Sequence, residues 1–76
     1  MLNNNYDDGN NTIVYVNGKE KKRVAIDYSE VAMIIETHKI IKQLGYMNSD
    51  VVYKHYNISF AHFEFSDHTI IDFKRF

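Results

Sequence analysis

Residues 29–45 read Ser-Glu-Val-Ala-Met-Ile-Ile-Glu-Thr-His-Lys-Ile-Ile-Lys-Gln-Leu-Gly, and the period of this stretch decides the fold. Apolar residues recur three and four apart from Val31 to Leu44, the spacing of one face of an α-helix. Asp27-Tyr28-Ser29-Glu30 has the spacing of a capping box, an acceptor side chain with Glu three residues on, so the helix is predicted to start at Asp27 or Ser29. Gly45 stands where a left-handed residue closes a helix. On a helical wheel, Ile40, Met33, Leu44, Ile41, Ile34, His38, Val31 and Ile35 follow one another around more than half the circumference. Lys39, Ala32, Gln43, Glu36 and Ser29 form a narrow polar side. A helix lying on a sheet needs a smaller apolar stripe than this, so the surplus should pack under a further element or meet another chain. Met33, Thr37, Ile40 and Leu44 are the helical residues predicted to serve such an interface.

Period-two segments flank the helix on both sides. Thr12-Ile13-Val14-Tyr15-Val16 is a β-branched and aromatic run, Asn17-Gly18 is a strong hairpin signal, and the return strand runs from Lys21 to Tyr28. A strict two-residue turn would set Val14 and Val16 opposite Lys21 and Lys19. A bulged, three-residue turn sets Thr12, Val14 and Val16 on the face of Val24 and Ile26, and is preferred because register follows the buried face. At the other end, residues 58–65 and 69–76 form a hairpin around Ser66-Asp67-His68. Pairing Phe65 with Thr69 places Ala61, Phe63, Phe65, Ile71 and Phe73 on a core face, and pairs His62 with Asp72, Phe60 with Lys74 and Ile58 with Phe76 on the other. Between helix and hairpin, Asn48 or Ser49 could cap a short helix through Tyr56, whereas Val51-Val52-Tyr53 has strand propensity; the reading leans to the helix. The predicted fold is therefore a single small α+β domain over residues 12–76: β-hairpin, helix, short helix or strand, β-hairpin, with one main helix packed on an antiparallel sheet. Residues 1–11, Asn-rich with the turn signal Asp7-Asp8-Gly9, are expected to fray.

Composition bounds the function. The chain has 76 residues, 9 Lys and Arg against 10 Asp and Glu, and a net charge of −1, which suits neither a DNA-coating protein nor an acidic mimic of DNA. It contains no cysteine, which removes disulfides, thiolate nucleophiles and Cys-based zinc sites. No basic and apolar leader opens it and no long apolar run crosses it, so a cytoplasmic, non-membrane protein is expected. Asn, Lys, Ile, Tyr and Phe, the residues of A/T-rich codons, supply 35 of the 76 positions, a bias shared with short proteins of phages and mobile elements.

Few residues suggest chemistry. The spacings of His38, His55, His62 and His68 match no familiar zinc pattern, and neither a metal nor a cofactor is expected. His62 opposite Asp72 could orient an imidazole as a general base, but no nucleophile or phosphate-binding loop accompanies the pair, so a cross-strand charge pair is the preferred reading and no enzyme is expected. Lys19, Lys21, Lys22 and Arg23 around the first turn, with Lys54, could contact phosphate, although lysines at a hairpin tip also guard an edge strand. Helix, Gly45, a second helix over residues 48–56 and a closing hairpin loosely resemble a winged helix-turn-helix, which implies that the second helix would read DNA through Asn48, Ser49, Lys54 and His55.

The leading functional expectation is a binding protein without chemistry of its own. Its contact surface would be the surplus helix face or the aromatic outer face of the last hairpin, Ile58, Phe60 and Phe76. Given the codon bias, its expected partner is a host protein, an enzyme or nucleoprotein complex such as a defence nuclease, inhibited by a phage or mobile-element accessory protein. A winged-helix-like nucleic-acid-binding regulator is the alternative, and a homodimer closed by the helix face is compatible with either.

Overall fold

The computed structural model describes residues 9–76 and shows a five-stranded, wholly antiparallel sheet with one main helix, an α+β fold. In chain order the elements are β1 (Thr12–Val16), β2 (Lys19–Val24), α1 (Glu30–Gln43), a 3-10 turn (Asn48–Asp50), β3 (Val51–Tyr56), β4 (Phe60–Phe65) and β5 (Ile70–Arg75). The strands lie in the order β2-β1-β5-β4-β3. The chain's first and last strands therefore meet at the centre, and β2 and β3 form the two edges. Of the segment predicted to fray, residues 1–8 lie outside the described residues. Asn11 is tied down, its amide donating to Ile26 O at 2.9 Å and accepting from Ile26 N–H at 3.1 Å.

The ends of α1 follow their local chemistry. Ser29 is the N-cap and its Oγ accepts from Ala32 N–H at 3.0 Å, so Glu30 sits in the first turn rather than closing a box with Asp27. At the other end Tyr46 N–H reaches Ile41 O and Gly45 N–H reaches Lys42 O, with Gly45 at φ +95°: a Schellman motif, which satisfies two terminal carbonyls. In the first hairpin Asn17 and Gly18 both take positive φ, 52° and 84°, and form a tight two-residue turn with Val16 opposite Lys19. The bulge expected at the turn lies instead within β2, where Lys21 is the extra residue; beyond it Val14 faces Lys22 and Thr12 faces Val24, as the buried face requires. The last hairpin has the predicted register, His62 opposite Asp72 and Phe60 opposite Lys74.

One expectation is corrected. Residues 51–56 are a strand, with only a single 3-10 turn at Asn48–Asp50 before it. The β-branched pair Val51-Val52 and the exposed edge of β4 together outweigh the capping signal at Asn48, because pairing satisfies backbone groups that a short isolated helix would leave open. The second helix that the winged-helix resemblance needs is thus absent, and the resemblance ends there.

The core is the helix-facing side of the sheet: Val14, Val16, Ala61, Phe63, Phe65, Ile71 and Phe73 pack with Ile26 and with Met33, Ile40 and Ile41 of α1. Here lies a second correction. Met33 and Thr37 are fully buried, Ile40 is 4 % exposed and Leu44 is half-buried, so the first three of these interface candidates belong to the domain's own core. The sheet takes one end of the apolar arc, from Ile40 to Ile41, and the surplus is left at the other, where Val31 and Ile35 are exposed. Arg75, at the end of the central β5, holds the two ends of the sheet to it. Its guanidinium donates to Ile58 O beyond β3 and to Ile26 O and Asp27 O beyond β2, at 3.0, 2.6 and 3.0 Å, and stacks over Tyr28.

Candidate functional site: the uncovered face of the sheet

A single helix covers only one side of the sheet, and period-two alternation sends every second residue to the other. The register assembles that outer face into cross-strand rows. One row runs Arg23, Ile13, Lys74, Phe60, and the next Glu20, Tyr15, Asp72, His62, His55. A third brings Ile70, Glu64 and Tyr53 together. Aromatic side chains stand among charges throughout. His55 stacks flat on Phe60 with ring centroids 5.4 Å apart, Tyr53 meets the edge of His62, Lys74 lies over Tyr15, and Arg23 lies over Phe76.

His62 is at the centre of this face. Its Nδ1 lies 2.6 Å from Asp72 Oδ1 and its Nε2 lies 2.7 Å from Glu64 Oε2. Two carboxylates on the two ring nitrogens favour the doubly protonated ring, so the Glu64 hydrogen bond first, and then that of Asp72, raise the His62 pKa above its ordinary 6.5 against a smaller opposing effect of burial. An imidazolium held in this way has no free lone pair with which to take a proton. The His62–Asp72 pair of the sequence is thus part of a three-membered cluster, an imidazole held between two carboxylates that favour its protonated form. Among the described residues no group of three His, Asp or Glu is disposed to hold a metal ion. A concavity of about 420 Å³ opens at the end of this face, lined by Val52, Glu64, Phe65, Ser66, His68 and Ile70.

The structure sorts the remaining sequence candidates. Phe60 and Phe76 are exposed on the outer face, and Ile58 is exposed in the β3–β4 turn beside them. The set proposed for phosphate does not assemble. Lys19, Lys21, Lys22 and Arg23 lie on β2 whereas Lys54 lies on β3, at the opposite edge and about 19 Å away across four strand spacings. Arg23 is also engaged with Glu20 at 2.9 Å. Arg23, Lys74 and His62 are matched on the outer face by Glu20, Glu64 and Asp72, which leaves no net positive field for a nucleic-acid backbone. Sequence reasoning missed Tyr15, Tyr53 and Glu64, and it placed His55 on a DNA-reading helix rather than on this face. Glu64 was within reach of the alternation already used for His62, two residues away on the same face, whereas Tyr53 and His55 depended on reading residues 51–56 as a strand.

No family model, curated protein or solved structure matches this chain. No helix among the described residues is long and apolar enough to cross a membrane.

Proposed function

We propose that this chain is a non-catalytic protein-binding module that works through the outer face of its sheet, with Phe60, Ile58 and Phe76 toward one end of the face and Tyr53 beyond the central His62 row. The observation that carries the reading is a sheet face that no covering layer occupies among the described residues, on which Tyr53, Phe60 and Phe76 are 52 %, 38 % and 59 % exposed among charges of both signs. Aromatic anchors ringed by polar groups are what protein interfaces use, and a face without an excess of positive charge suits a protein surface better than a phosphate backbone. The A/T-rich codon bias extends the proposal to a partner in the host of a phage or mobile element, an enzyme or defence nuclease that the module inhibits.

The test is affinity capture from lysate of the organism that carries the gene, with wild type and with Phe60→Asp and Phe76→Asp. Both substitutions replace exposed side chains, so both variants should keep the wild-type circular dichroism and melting temperature. A protein retained by wild type, before and after nuclease treatment, and lost by both variants supports the reading. Equal recovery by all three, or proteins that vanish with nuclease, overturns it.

A further inference from the structure

The two edges of the sheet differ in what they offer a neighbouring strand. On β3 the exposed residues Val52, Tyr53, Lys54 and His55 include one lysine and no acidic residue, and no lysine-rich guard of the kind on β2 covers its backbone. The phase of its free hydrogen bonds follows from the turn that ends it. Asn57 N–H donates to Phe60 O at 2.9 Å, so by antiparallel alternation His55 bonds back to His62, and Lys54 and Tyr56 turn their N–H and C=O groups to the open edge. The helix contributes to the same side. His38 lies on the apolar flank of α1 with Ile34, Val31 and Ile35; its ring meets Phe63 of β4 edge-on, and its carbonyl accepts from Asn48, which leads into β3. That flank, with Ile34 and His38 half-buried and Val31 64 % exposed, therefore turns toward β3, whereas the polar flank with Glu36 and Lys39 turns away from it and Ile35, at the outer margin nearly opposite the buried face, points to solvent.

We propose that this edge is a homodimer seam: β3 pairs antiparallel with β3 of a second copy, about a two-fold axis through His55, to give one ten-stranded sheet. The register follows by elimination. An axis perpendicular to the sheet must pass through a residue, because directly opposed side chains share a face. An axis through Lys54 would oppose two lysines, one through Tyr53 would place the bulge at Val52 in the pairing, and one through Tyr56 would set His55 and Lys54 against Asn57 and Ile58 of the turn, beyond the strand. An axis through His55 keeps to the regular part of the strand and sets Lys54 opposite Tyr56 of the other copy, with both outward-facing backbone pairs satisfied. Lys54 already lies over the Tyr56 ring within one chain, 6.0 Å from its centroid, so the pairing adds a second ring of the same kind. Strand pairing alone covers less than the roughly 800 Å² per partner of a stable interface; Val31, next to His38 on the flank nearest β3, adds apolar area on that side of the helix. The dimer joins two outer faces into one surface and does not depend on what that surface binds.

The absence of cysteine makes the register directly testable, because each introduced thiol is the only one in its chain. Four variants, Tyr53→Cys, Lys54→Cys, His55→Cys and Tyr56→Cys, are oxidised and followed on non-reducing gels. Only a residue on the axis meets its own copy, in a non-hydrogen-bonded pair with Cα atoms about 4.5 Å apart, so His55→Cys should cross-link at least about tenfold faster than the others. Unmodified chain should sediment at twice its 9.0 kDa mass. Lys54→Pro removes an N–H that turns to the open edge and bonds nothing among the described residues, and should give a folded monomer. Sedimentation of the unmodified chain as a monomer at about 100 μM would overturn the proposal. So would cross-linking as fast at Lys54→Cys as at His55→Cys, whatever Lys54→Pro does to folding. An edge reserved for an extended segment of another protein would give the monomeric result. Phe76→Asp lies away from β3, so it should lose an outer-face partner yet still dimerise, which separates failure of the seam from failure of the binding face.

Discussion

The two edge strands, β2 and β3, are each six residues long, each carries a bulge, and each has one free side. They differ in sequence: Lys-Glu-Lys-Lys-Arg-Val against Val-Val-Tyr-Lys-His-Tyr. On β2 even the helix-facing positions opposite Val14 and Val16 are lysines, Lys22 and Lys19, so the core stops at β1. On β3 the equivalent positions include Tyr56 and Val51, which pack against the core and carry it to the edge. The helix repeats the division, with polar residues along one flank and exposed aliphatic residues along the other. A charged, bulged edge refuses further strands, and an apolar one accepts them. The contrast shows that this domain has one finished side and one unfinished side, and that unfinished backbone is as informative as an exposed aromatic ring.

The largest expected effect comes from contrasting two isoleucines of one helix. Ile40→Asp places a carboxylate in the core beneath the sheet and should cost about 4 kcal/mol or more, enough to unfold a domain of ordinary stability, whereas Ile35→Asp on the exposed flank should change stability by about 0.5 kcal/mol or less. Urea denaturation followed by circular dichroism distinguishes the two, and a folded Ile40→Asp would mean that the division of the helix into core and flank is misplaced. Next in size is Arg75, which alone bonds to the chain beyond both edges. Arg75→Ala leaves the Ile26 and Asp27 carbonyls and that of Ile58 without their charged donor and should cost about 2–3 kcal/mol by the same measurement. Arg75→Lys should recover only part of this, because one ammonium cannot span the positions of a forked guanidinium.

Two smaller effects bear on the outer face and on the guarded edge. His62 has its pKa raised in the folded state, so its contribution to stability is complete below about pH 6.5 and is lost as the pH rises through the raised value. Melting temperature should therefore decline from about pH 6.5 toward pH 9 in the wild type, and His62→Gln should flatten that slope. An equal slope in both proteins would place the titration elsewhere. The smallest change in stability, about 0.5 kcal/mol or less, is expected for the double substitution Lys21→Thr with Lys22→Val, which removes the guard from β2. Its readout is association: light scattering should show species larger than the wild type, since both edges would then accept strands. If the variant behaves as wild type, the bulge rather than the charge protects that edge.

How much was legible in the sequence depended on how local the signal was. The helix was readable from Ser29 to Gly45 because cap and period lie within the segment, and the last hairpin because Phe65, Thr69 and the alternation on each side fix one register. A bulge at the turn itself gives the right faces, but the extra residue lies two or three positions further on, since nothing local distinguishes a bulge at Gly18-Lys19 from one at Lys21. Residues 51–56 were misread because their partner, β4, lies outside the window in which a cap at Asn48 is persuasive.

By itself, the sequence determined the helix and its ends, the place of the first turn at Asn17-Gly18 though not its length, the pairing of His62 with Asp72, and the set of side chains able to form a core. These depend on φ/ψ preference and on periods of 3.6 and 2, which neighbouring residues carry among themselves. Only the tertiary structure decided which part of the long apolar arc is buried, that Glu64 closes on the second nitrogen of His62, that Asn11 and Arg75 tie the central strands to the loop after β2, and that the lysines of β2 and Lys54 stand at opposite edges. These depend on strand order, and strand order is set where β1 and β5, far apart in the chain, find the one register that buries Val14, Val16, Ile71 and Phe73 against the helix.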